Sequence, residues 1–191
     1  MKPKRIICDV DGVLCDVVSP LLKEYNQRMG TFHAHDDVKN YGFDPLLPGV
    51  VARYVFHEKH FWMNRCLPYV GAAAFVRMVI GISDHHPGLW FEIISQPNGS
   101  GLSHIDKAQW LDAMGFIHQR AFPSSGKPKT DLFEPNDIII DDSPDILTFA
   151  KNNGMIPVCI DRPWNQPDSN PGWSGLRFDY SGAIQHIDRL G

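Results

Sequence analysis

Cysteine is scarce in this chain, with four residues in 191: Cys8, Cys15, Cys66 and Cys159. None forms a CxxC pair and no histidine pair stands close by, which argues against a structural zinc site. Cys8 and Cys159 lie in apolar text, the usual setting of buried free thiols, and a reducing, cytoplasmic location is expected. Long apolar runs are missing as well. Nothing approaches the roughly 20 residues that a membrane-spanning helix needs. After the basic start "MKPKR", the apolar run meets Asp9 within three residues, too short for a secretory signal. Positive charge is in deficit: 18 Lys and Arg face 22 Asp and Glu, a net charge of −4. A basic face for gripping a nucleic-acid backbone is therefore not expected, and neither is a stable nucleic-acid partner. Internal repeats and low-complexity tracts are also absent. What remains is ordinary globular material, 43% hydrophobic and long enough for one domain with a smaller subdomain.

Four short apolar runs read as strands, each ending in polar residues. They are "RIICDVDG" (5–12), "WFEIISQP" (90–97), "DIIIDDSP" (137–144) and "MIPVCIDRP" (155–163). Segments of this length that are apolar on both faces suit a buried parallel sheet. A weaker strand is expected over 116–122. Helical text covers 17–29, 70–80, 103–114 and 144–153, the last stopped by Gly154. The alternation predicts an α/β, doubly wound, Rossmann-like domain.

The spacing is uneven. About 75 residues separate the first two strands, far more than one crossover requires. Residues 16–68 are expected to form a small helical cap inserted after the first strand, with 1–15 and 69–191 as the core. This insertion includes a mixed loop around 30–50 and leads into the aromatic run "YVFHEKHFWMNRCLPY" (54–69). The Pro- and Asn-rich stretch 163–175 reads as a loop along one edge.

The chemistry concentrates at strand ends. If the strand conformation persists, Asp9 and Asp11 point the same way, and Gly12 permits a sharp turn behind them. Asp141 and Asp142 end another strand and arrive at the same carboxyl edge, where ligands bind in open parallel sheets. Four converging acids repel one another, and a hard divalent cation with oxygen ligands relieves the repulsion; Mg²⁺ fits best. Ser95, at the end of "FEIIS", offers a hydroxyl for an anion. Lys127 and Lys129 in "SSGKPKTDLF" can bring positive charge. Carboxylates, cation, hydroxyl and lysine around one hollow suit phosphoryl transfer.

"DVDGVLCD", "IIS", the lysine before the fourth strand and "IIIDDSPDI" resemble, in order and spacing, the four motifs of the haloacid dehalogenase superfamily. "SQP", "HFW" before "LPYVGA", and "IDRPWN" are similar to the 5'(3')-deoxyribonucleotidases, the cytosolic type C nucleotidase group. The resemblance covers nearly the whole chain, least over 28–55. It implies a Mg²⁺-dependent phosphomonoesterase that hydrolyses (deoxy)nucleoside monophosphates through an aspartyl-phosphate. Asp9 is then the nucleophile and Asp11 the acid and base. The cation is held by the Asp9 carboxylate, the Asp11 carbonyl and Asp142, with Asp141 in support. Ser95, the loop around Gln96, and Lys129 bind phosphate, with Lys127 the alternative lysine. Phe61 and Trp62 pack against a base. Ser143 stands where the family often has Arg, and Gln96 replaces a second hydroxyl residue.

Plainer readings exist for each residue. A DxD pair can end a turn, and Asp142 or Ser143 can cap a helix beginning at Pro144. Adjacent aromatics such as Phe61 and Trp62 can be core, and Lys107 reads as a helix-surface lysine, with a second phosphate contact as the alternative. Within the same fold, the substrate could instead be a nucleic-acid 3'-phosphate end or a sugar or metabolite phosphate. A phosphoacceptor signalling module would also use clustered acids, but with the acidic pair on the first strand and the acceptor on a later one. The expected partner is a small phosphate ester, and no membrane association is expected. A homodimer is compatible with the sequence.

Overall fold

The computed structural model describes residues 4–42, 57–97 and 102–191. Six parallel strands make one sheet: β1 (Arg5–Cys8), β4 (Trp90–Ile94), β5 (Arg120–Ala121), β6 (Ile138–Asp141), β7 (Ile156–Ile160) and β8 (Arg177–Phe178). Their order is β5-β4-β1-β6-β7-β8, so β1 and β6 lie side by side at the centre. A separate antiparallel pair joins β2 (Cys15–Asp16) to β3 (Leu67–Pro68). The helices are α1 (Val18–Met29), α2 (Phe61–Arg65), α3 (Ala72–His85), α4 (Ser103–Ala113), α5 (Pro144–Asn152) and α6 (Tyr180–Asp188).

The predicted α/β doubly wound architecture is observed, and the strand alternation explains it. Ile6, Cys8, Ile138 and Ile140 enter the main apolar cluster with residues of α3, α4 and α6. Ile7 and Ile139 point the other way, into a second cluster with Ala150 of α5, Met155 and Phe133. Central strands buried on both faces must be apolar at every position, as these are. At the amino ends of the strands, Arg5 clamps three of them together. It donates to Asp137 at 2.6 Å and Glu92 at 3.2 Å, and to the Leu132 carbonyl at 2.9 Å.

Several boundaries differ from expectation. The first strand stops at Cys8 rather than reaching Gly12, because Val13, Leu14 and Cys15 turn back to donate to the Val10 carbonyl. The weak strand over 116–122 is reduced to two residues at the sheet edge. Helix α3 runs to His85, five residues past the expected end. The expected loop 163–175 is not simply draped along an edge: Pro163–Asn165 form a 3₁₀ turn with Trp164 and Asn165 buried. Strand β8 and helix α6 follow it, neither of which the sequence reading anticipated. In the segment between β2 and β3, Val18, Leu21, Leu22, Phe61 and Trp62 share the main apolar cluster with the sheet. The last part of the expected 30–50 loop, from residue 43, and the first residues of the 54–69 aromatic run, 54–56, lie outside the described residues.

Candidate active site

The carboxyl ends of β1, β4 and β6 converge, and the acids gather there. Asp9 follows β1, its N–H bonded to the Ile140 carbonyl of β6 at 3.0 Å. Asp141 ends β6 and Asp142 follows it. One carboxylate oxygen from each of Asp9, Asp141 and Asp142 lies within 4.8 Å of the others, and all three residues are buried. Burial and the neighbouring acids push Asp142 well above the usual carboxylate range. Burial likewise lifts Asp141 to about 6, against the pull of Lys129.

Lys129, brought in by a 3₁₀ turn (Lys129–Leu132), bridges Asp9 at 2.8 Å and Asp141 at 2.7 Å. Burial alone would lower this ammonium; the charges of Asp141 and Asp9 outweigh it and hold the lysine above its ordinary range. Of the two candidate lysines, Lys129 is the one inside. The side chain of Lys127 is exposed, while its carbonyl accepts a hydrogen bond from Gln96 at 3.1 Å. Gln96 also accepts from the Lys129 N–H at 2.8 Å. Its side chain thus fixes the lysine loop.

Asp11 departs from the expected alignment. With the strand ended at Cys8, the turn aims its carboxylate at α2 and α4 instead of the Asp9 cluster. One oxygen accepts from Trp62 Nε1 at 2.8 Å, and the other pairs with Lys107 Nζ at 2.6 Å. Lys107 was expected on a helix surface, and the structure corrects this: it is fully buried, also donating to Ser95 Oγ at 3.2 Å and the Gln96 carbonyl at 2.6 Å. Ser95 is therefore next to a cation. The expectation that Phe61 and Trp62 offer faces to a base also needs correction. Phe61 is 0% exposed and Trp62 1%, packed edge-to-face at 5.1 Å. Trp62 reaches the site through its indole N–H instead.

Sequence reading missed the residues that hold the cluster from behind. Trp164 Nε1 donates to Asp142 Oδ2 at 2.7 Å, and Asn165 Nδ2 to the Asp142 carbonyl at 3.0 Å. Arg162 donates to the Gly12 carbonyl at 2.6 Å and lies 4.0 Å over the Tyr69 ring. The segment "IDRPWN" contains all three, but nothing in their local pattern gives the contact with Asp142. Tyr41, from the segment between β2 and β3, sits beside Ser143. Burial of its hydroxyl, then the charges of Asp142 and Asp141, push that phenol up. Ser143 caps α5, as one of the plainer readings allowed, its hydroxyl accepting from the Ile146 N–H.

The donor set fits a hard dication. Among the described residues, Asp9 Oδ1 is buried without a hydrogen-bond partner, and four carboxylates gather around the buried Lys107 and Lys129. Buried ionised groups are otherwise paired or coordinate metal. Gly12 leaves the room. It sits at φ +76°, and a Cβ there would fall 2.1 Å from Asp142 Oδ2. No helix among the described residues is long and apolar enough to cross a membrane.

No protein-family model matches the chain, and no curated protein does. Among solved structures it is similar to a haloacid dehalogenase-like family hydrolase from Xanthomonas campestris. The TM-score is 0.55 and the identity 11%, over 99% of this chain and 96% of that one. At this identity the likeness defines the fold: the chain has a haloacid dehalogenase-like, Rossmann-type architecture.

Proposed function

We propose that the protein is a Mg²⁺-dependent phosphomonoesterase that hydrolyses (deoxy)nucleoside monophosphates. The principal support is the trio Asp9, Asp141 and Asp142 at the strand ends, with a buried unpartnered Asp9 oxygen and Lys129 beside it. The hydrolase fold-mate and the motif order argue in the same direction. The nucleotide part of the proposal rests on the resemblance of "SQP", "HFW" and "IDRPWN".

In this reading Asp9 and Asp142 hold the cation with their carboxylates and Asp11 with its carbonyl, while Asp141 supports them. Bound there, Mg²⁺ supplies charge neutralisation for the acids and for the transferred phosphoryl group. A carboxylate oxygen of Asp9 attacks phosphorus; the new Asp–O–P bond forms as the ester P–O bond breaks. Asp11 donates a proton to the departing alkoxide. It then takes a proton from the water that attacks phosphorus and releases phosphate from Asp9. Lys129, Lys107 and the Ser95 hydroxyl face the phosphoryl oxygens. Trp62 orients Asp11 rather than stacking a base. Residues 16–68 serve as the cap and 1–15 with 69–191 as the core; Tyr41 brings part of the cap to the cluster, which limits bulk water there.

A phosphate-release screen tests the substrate class. It compares deoxy- and ribonucleoside 5'- and 3'-monophosphates, sugar phosphates and 3'-phosphorylated oligonucleotides, each with and without Mg²⁺. Preferential turnover of mononucleotides is expected. Turnover confined to oligonucleotide ends or to sugar phosphates contradicts the nucleotide assignment. A stable phosphoprotein without turnover contradicts the enzyme.

A further inference from the structure

We infer that Trp164 is a positioning residue that presets the Asp142 carboxylate for cation binding, within a loop that grips both halves of the site. The inference rests on the Mg²⁺-site reading above and extends it to residues that would not touch the cation.

The loop after β7 makes three separate attachments. Trp164 donates its indole N–H to Asp142 Oδ2 at 2.7 Å. Asn165 joins the Asp142 carbonyl at 3.0 Å to the Ile160 carbonyl at 2.9 Å, and its own Oδ1 accepts from the Arg162 N–H at 3.1 Å. Arg162 reaches the other half, donating to the Gly12 carbonyl at 2.6 Å and the Val13 carbonyl at 3.2 Å. The backbone that carries Asp11 and the side chain of Asp142 are thereby fixed relative to each other by four consecutive residues. Trp164 is 2% exposed, Asn165 0% and Asp142 4%, so water cannot easily replace these bonds.

Chemistry makes Trp164 a selective choice. An indole N–H is a donor only, so it bonds the ionised carboxylate without ever competing for the proton or the cation. It takes one oxygen of Asp142 and leaves the other for a ligand bond. His35 packs on the Trp164 ring at 5.3 Å, and Tyr69 stands at 3.3 Å from His35 Nε2, so the indole plane is held from the side of the inserted segment. Hydrogen-bond partners of metal-bound carboxylates typically contribute 10–100-fold in metal affinity.

The test is Mg²⁺ binding by calorimetry on the full wild-type chain, on Trp164→Phe and on Trp173→Phe. Trp173 is the control: it is buried on the same loop but donates its indole N–H to the Leu176 carbonyl at 3.1 Å rather than to a carboxylate. Trp164→Phe keeps most of the packing and removes the donor, and its Mg²⁺ dissociation constant should rise at least about tenfold, while Trp173→Phe stays near wild type. Equal affinities for wild type and Trp164→Phe overturn the inference alone; a wild-type chain that binds no Mg²⁺ overturns the site reading as well. Should Trp164→Phe not fold, the indole N–H resonances of the ¹⁵N-labelled wild type decide. The Trp164 signal should shift and saturate with Mg²⁺ while Trp173 does not. A Trp164 signal indifferent to Mg²⁺ contradicts the inference.

Discussion

Lys107 is the residue whose burial changes most what the site can do. It lies on α4 at the centre of a buried stripe made of Ser103, Asp106, Lys107, Trp110 and Leu111. The spacing is that of a core-facing helix, yet three of the five are polar, so the apolar period that betrays such a face is erased. Their partners, Asp11 and the Trp62 N–H, are distant in sequence. Asp9, Asp142, Ser95 and Lys129 were legible because each follows or precedes an apolar strand at a recognisable spacing. Phe61 and Trp62 were legible as important, but not their burial. Replacing Lys107 with Met strips the Asp11 carboxylate of its ion pair in a nearly water-free place. The expected cost is about 3 kcal/mol in urea unfolding, with a loss of the proposed phosphatase activity. A change within about 0.5 kcal/mol, the usual range of surface substitutions, would return Lys107 to the surface role that the sequence suggested.

Helix α4 also decides how the short α2 is held. Asp106 accepts from the Trp62 N–H at 3.0 Å, and Trp110 Nε1 donates to the Cys66 carbonyl at 3.1 Å. These two bonds dock a five-residue helix too short to be stable by itself. Trp110 is fully buried and stacks on Phe116 at 5.7 Å. Trp110→Ala should therefore destabilise the protein by about 4 kcal/mol, and a urea midpoint close to that of wild type would refute this packing. Long central strands and helices were readable from periodicity. Two-residue strands such as β2, β3 and β8 were not, since so short a segment has no period to read. Helix α6 did carry a signal, in the Asp179 cap that accepts from the Gly182 N–H at 2.7 Å, followed by Ala183 and Ile187 at helical spacing. The loop-like text before it masks that signal.

For the molecule as a whole, the acid cluster links stability to pH and to cation. Asp141 rises from its ordinary 3.8 to about 6 on folding, first because of burial and then through Asp9, with Lys129 opposing; Asp142 rises too. The folded chain thus holds these protons more tightly than the unfolded one. The contribution of Asp141 is fully present below about pH 4 and is lost as pH rises through about 6. In metal-free buffer, the cluster should make thermal stability fall across that interval relative to an Asp141→Asn, Asp142→Asn variant. Millimolar Mg²⁺ at pH 7 should raise the wild-type midpoint, since a ligand bound only by the native state stabilises it. A wild-type midpoint that Mg²⁺ leaves in place would remove the cation from the account.

The core of the account is that Asp9 acts on phosphorus. Its most direct measurement is Mg²⁺-dependent phosphate release from a deoxynucleoside monophosphate by wild type and by Asp9→Asn. The account predicts release by the wild type only when Mg²⁺ is present, and a loss of at least about 10³-fold in the variant. An Asp9→Asn enzyme within about tenfold of wild type would contradict it.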